Sequence, residues 1–139
     1  MMKYLVQSLA HHQLEWGGLS LEEYSNNKVK TLYSGTDTTT NDSWRNVVLS
    51  DSYYNYDLII VGLGSSYQEM ITVTLPGMQH IPNNKYYNVC WRCQALDSGY
   101  YSGGQIGLSS SDKNKIGWRM RYANGWTGSS LFFVVGMKF

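Results

Sequence analysis

From residue 30 to the C-terminus, short β-prone segments recur at regular intervals with turn residues between them, and this spacing limits the fold more than any other feature. With about eight such segments, no β–α alternation and no internal repeat, the expectation is an all-β fold, a jelly-roll-like β-sandwich of about eight strands. The other segments read as additions to residues 30–63. There Thr31, Leu32 and Tyr33 form a short β-prone run, which Ser34-Gly35-Thr36-Asp37 is expected to break. A polar Thr/Asn/Asp loop follows, and the chain resumes at Trp44 with Val47 and Leu49 on one face. Residues 51–57 supply Asp, Ser and Asn, whose short side chains bond nearby backbone and favour turns. Leu58-Ile59-Ile60-Val61 is apolar on both faces, as in a strand buried between two layers.

Beyond Val61 the pattern stays β. Residues 62–66 read as a loop. Ile71, Val73 and Leu75 then alternate with Met70, Thr72 and Thr74, which places the first three inward. Residues 76–84 hold both prolines and read as a long surface loop. Tyr87, Val89, Trp91, Cys93 and Ala95 share the next inward face, and residues 96–104 read as a glycine-rich loop carrying Tyr100 and Tyr101. Ile116, Trp118, Met120 and Tyr122 share a face opposite Arg119 and Arg121. Trp44, Trp91 and Trp118 are expected to pack inside. The last segment, residues 131–139, is apolar on both faces, so it is expected to be covered, Phe139 included, by the opposite sheet or by a subunit contact.

Residues 1–27 differ from the rest. Leu5, Leu9 and His12 can form a helical stripe that ends at Gly17-Gly18, and Ser20 with Glu23 has the spacing of a capping box. A helix that short needs packing to persist. Two readings stand: an arm or connector lying on the β domain or on a neighbouring chain, and a poorly ordered N-terminus. The domain division is therefore 1–27 for the arm and 28–139 for the sandwich.

Charged residues make up 15% of the chain and the net charge is +1, so no long-range field draws in nucleic acid or an anionic membrane. No run approaches the roughly 18 apolar residues of a membrane span, and the first residues lack a signal-peptide pattern. The chain is expected to be made in a cytoplasm without a secretion signal, with no nucleic-acid partner and no membrane insertion.

Catalytic and metal motifs are weak. Cys90-Trp91-Arg92-Cys93 has redox or zinc-knuckle spacing, but on a strand its two thiols face opposite sides of the sheet. Zinc would need further ligands, for which only His11, His12 and His80 are available, and adjacent histidines do not converge on one ion. Carboxylates sit mostly in turns, at Asp37, Asp42, Asp51, Asp97 and Asp112, and no pair stands out as a glycosidase acid and base. No cofactor fingerprint is present, and no enzyme is expected.

Aromatic and amide-rich loops remain. Tyr100, Tyr101 and Trp126 lie among Gly, Ser and Asn and are the candidate binding residues, suited to stack on the apolar face of a sugar. Tyr53, Tyr54 and Tyr56 lie in one turn, and Tyr56 is assigned to the core.

The order Leu32-Tyr33-Ser34-Gly35, polar loop, Val47, Leu49-Ser50-Asp51-Ser52, Tyr56-Asp57, then Leu58 to Val61 resembles a module near the C-terminal ends of tailed-bacteriophage fibre, minor tail and receptor-binding proteins. The likeness covers about thirty residues and fades downstream to general β character. It implies a virion component, a fibre or baseplate head domain that works as a homotrimer and touches host-surface polysaccharide. Fibre modules usually follow a long shaft, for which this chain has scarcely room, so residues 1–27 would attach it to another virion protein. Two alternatives stand: a structural virion protein that caps, decorates or attaches without receptor contact, and a stand-alone lectin-like module.

Overall fold

The computed structural model describes residues 28–65, 70–76, 86–95, 98–109, 112–125 and 128–139. What the sequence suggested for residues 1–27, His80 and Trp126 lies outside them. Eight strands run through the described residues: β1 (Val29–Thr39), β2 (Arg45–Val48), β3 (Leu58–Ser65), β4 (Met70–Pro76), β5 (Tyr86–Gln94), β6 (Tyr101–Ser109), β7 (Lys115–Asn124) and β8 (Ser129–Met137). They form two four-stranded sheets, ordered β1-β8-β3-β4 and β2-β7-β6-β5. Every pairing between these strands is antiparallel. First with last and second with seventh is the nested pairing of a jelly roll, whereas β3–β4 and β5–β6 pair locally as hairpins. The fold is thus the expected all-β sandwich, jelly-roll-like in its outer pairings.

Alternation explains the two layers. Leu32, Ile59, Val61, Leu63, Leu75, Leu131 and Val134 face inward from the first sheet, against Val47, Trp91, Cys93, Ile106, Leu108, Ile116 and Trp118 from the second. Burial of this apolar surface, at roughly 25 cal/mol per Å2, is what joins the sheets. Ser129 Oγ donates to Ser102 Oγ at 2.9 Å, a polar tie between the sheets within the buried region.

The turn at residues 51–57 is a clasp. Asp51 accepts from Ser52 N–H (2.7 Å), Asn55 Nδ2 (2.9 Å), Tyr56 Oη (2.9 Å) and Lys30 Nζ (3.4 Å). Ser50 N–H donates to the Leu32 carbonyl at 2.8 Å, so the segment ending in Asp51 is bound to β1. A short 3-10 turn, Tyr53–Asn55, is capped by Ser52 and buries Tyr53 and Tyr56. Residues 50–56 therefore hold the fold here, binding the turn to itself and to β1.

Several expectations are corrected. Ser34 to Asp37 does not end β1, which keeps its ladder to β8 and absorbs two extra residues as bulges, between Thr31 and Tyr33 and between Ser34 and Asp37. Residues 62–65 are not a loop, because 62–64 remain paired to both β4 and β8 and Ser65 to β8. Residues 101–104 are strand, since β6 lies between β5 and β7. A bulge at Arg121 sets Tyr122 opposite Gly103 rather than in line with Met120, so Tyr122 turns outward and is exposed. Trp118 and Trp91 are buried, but Trp44 is 43% exposed. β8 is a central strand whose inner face the opposite sheet covers, yet Phe139 lies past its end and is 79% exposed.

Candidate functional site

The outer face of the β2-β7-β6-β5 sheet carries the most unusual chemistry. Cross-strand register sets its rows: Asn46, Gly117, Gly107 and Asn88 in one, then Arg119, Gln105 and Cys90, then Tyr122, Gly103 and Arg92. Two glycines at the centre of the first row leave a gap, and the Trp44 indole fills part of it. A Cβ on Gly107 would come within 3.0 Å of the Trp44 ring, and one on Gly117 within 3.4 Å. Glycine inside a strand commonly marks such a close approach.

Trp44 is held from behind. The Arg119 guanidinium lies 4.6 Å from its ring centroid, and Arg119 Nε and Nη2 both donate to Gln105 Oε1, at 3.0 and 2.6 Å. Arg119 also faces Asp42 at 3.5 Å. Just beside Trp44, Arg45 is paired to Asp37, whose carboxylate also accepts from Trp118 Nε1 at 2.7 Å. The indole is thus fixed, half exposed, as one wall of a groove of about 430 Å3 lined by Trp44, Asn46, Asn88, Gly107, Leu108, Asp112, Lys115 and Gly117. Lys115 and Asp112 form an exposed ion pair at 3.4 Å. The amides of Asn46 and Asn88 flank the glycines and, among the described residues, make no side-chain hydrogen bond within the chain.

An aromatic wall, free amides and a neutralised ion pair suit a polyhydroxylated ring: the indole takes an apolar C–H face, and the amides exchange hydrogen bonds with hydroxyls. Two carboxylates outside the groove are held in their charged form. The Arg45 hydrogen bond holds the Asp37 carboxyl below its ordinary value despite partial burial, with help from Trp118. Partial burial pushes Asp51 up, but its bonds from Tyr56, Ser52, Asn55 and Lys30 outweigh this and hold it low. A general acid needs the opposite shift. No group of three or more His, Cys, Asp or Glu side chains converges on a metal position among the described residues.

The residues singled out in the sequence are only partly brought together. Tyr101 is on β6, on the same outer face, with the Arg92 guanidinium 4.6 Å from its ring centroid. Tyr100 is exposed and packs over Gly125, where a Cβ would meet its ring at 2.3 Å. Trp126 is outside the described residues. The groove around Trp44 was missed, although its signal was present. Counting by twos from Val47 and Leu49 puts Trp44 outward with Asn46, and Gly107 and Gly117 sit within strands. Cys90 is exposed and Cys93 buried, on opposite faces of β5 as the strand pattern required.

No protein-family model matches this chain, and no curated protein matches it.

Proposed function

We propose that the protein is a glycan-binding β-sandwich whose primary sugar site is the Trp44 groove, and that it serves as a fibre or baseplate head domain of a tailed phage. The observation that carries the sugar site is the half-exposed indole, stacked on Arg119 and standing over two glycines beside two unengaged amides. Support for the phage setting is the order of motif residues from Leu32 to Val61. On this reading the protein is a binder and not an enzyme.

Self-association belongs to the same reading. The outer face of the β1-β8-β3-β4 sheet carries Ile60, Phe133, Val135 and Met137, which a single chain leaves only half-buried. A homotrimer that covers them would multiply weak sugar contacts, while residues 1–27 attach it to a larger virion protein. Light scattering on a size-exclusion column tests this part, and a monomer refutes it.

The test of the site is Trp44→Ala on a glycan array, followed by titration calorimetry with any hit. Binding should weaken about tenfold or more, the equivalent of about 1.4 kcal/mol, with the fold intact because the ring is a surface wall. Unchanged affinity would place the sugar elsewhere.

A further inference from the structure

We infer that the same sheet face holds a second, acid-recognising subsite at Arg92, Tyr101 and Tyr122, so that the ligand is an extended glycan bearing carboxylate groups. This rests on the glycan reading of the Trp44 groove and adds the ligand's charge class to it. Arg92 and Tyr122 lie on either side of Gly103, and the Tyr122 ring occupies the space that a side chain at Gly103 would need. Tyr101 stands two residues along β6, its ring 5.9 Å from Tyr122 in an edge-on arrangement. The Arg92 guanidinium lies 4.6 Å from the Tyr101 centroid, so Tyr101 stands between Arg92 and the edge-on Tyr122.

The arginine's partners decide the assignment. Of the chain's four arginines, Arg45 pairs with Asp37, and Arg119 and Arg121 share Asp42. Arg92 has no carboxylate partner among the described residues and is exposed. A guanidinium held over a ring in this way still has N–H groups with which to grip a planar carboxylate by two parallel bonds. The stacked ring also lowers the freedom that Arg92 must lose on binding, and Tyr122, 46% exposed, offers apolar surface to the sugar that carries the acid. Four residues along β6 separate Gly107 in the first groove from Gly103 here, about 13 Å at the usual rise per strand residue. A single sugar ring does not span that distance, so one ligand that uses both stations is an oligosaccharide.

The experiment prints acidic and neutral bacterial polysaccharides on one array, each acidic polymer in its native form and after chemical reduction of its carboxylates to alcohols. Wild-type protein should bind native acidic polymers about tenfold more tightly than their reduced forms, the scale of one charge-assisted contact. Arg92→Gln should remove that difference and leave binding to the reduced forms unchanged, whereas Trp44→Ala should weaken both forms alike. Circular dichroism melts confirm that the exposed Arg92→Gln substitution leaves the fold intact. If Arg92→Gln retains the preference, or if the wild type binds both forms equally, the acid subsite is wrong and the Trp44 site stands. A preference that follows phosphate-bearing polymers instead would overturn the carboxylate assignment. Absence of binding to every polymer would sink the glycan reading itself.

Discussion

Replacing Asp37 by alanine should destabilise the sandwich by about 1–4 kcal/mol, because one carboxylate joins both sheets at this rim. Asp37 belongs to β1, while its partners Trp118 and Arg45 belong to β7 and β2 of the other sheet. Trp118 is fully buried, and its indole N–H would lose its 2.7 Å acceptor. An unsatisfied buried donor costs about 1–3 kcal/mol. The Arg45 contact adds at most about 1 kcal/mol, since that side chain is 43% exposed and the pair is screened by solvent. Asp37→Asn keeps an acceptor for the indole and should cost only about 1 kcal/mol, the share that depends on charge. Urea unfolding at neutral pH, followed by tryptophan fluorescence, measures both variants. Because most of the loss comes from the buried bond, it should persist in 1 M salt. The pH dependence gives an independent check. The folded-state pKa of Asp37 lies below its ordinary 3.8, so its contribution is complete above that value and is lost as pH falls through the lower, folded one. A difference below about 0.5 kcal/mol for Asp37→Ala, within the range of ordinary surface changes, would refute this account.

Two further outcomes follow from the same packing. Gly104→Ala should cost at least about 2 kcal/mol in urea unfolding, because its Cβ would lie 1.9 Å from the Arg119 carbonyl oxygen and backbone must shift to admit it; a neutral result would refute the close approach of β6 and β7 there. Burial and the adjacent Asp51 carboxylate push the Tyr56 phenol up to about 12, so its contribution is complete below pH 10 and lost as pH rises toward the folded value. Ultraviolet titration should find a late-ionising fraction that Tyr56→Phe reduces, and an unchanged titration curve for that variant would contradict the buried Tyr56–Asp51 bond.

Much of this molecule was legible in the order of its residues. The period of two fixes which side chains of β4 and β5 meet the core, and it separates Cys90 from Cys93 without any knowledge of neighbours. The Asp, Ser and Asn of residues 51–57 specify a turn through short-range hydrogen bonds, and a turn is found. The same period of two sets Trp44 outward with Asn46, against the expectation that its large indole packs inside. Other features depend on which strands become neighbours. Nothing local to Ser34-Gly35 announces that β8 will hold β1 in register past two bulges, because that ladder joins the two ends of the domain. Tyr122 changes face because β7 carries one residue more than β6 across a bulge, a difference of count between strands that neither strand contains alone. Likewise Gly107 and Gly117 become a groove only when β6 and β7 pair beside β2 and bring Trp44 across them. Alternation along a strand is a local property of the backbone. A surface built across four strands exists only once long-range pairing has set their order and register.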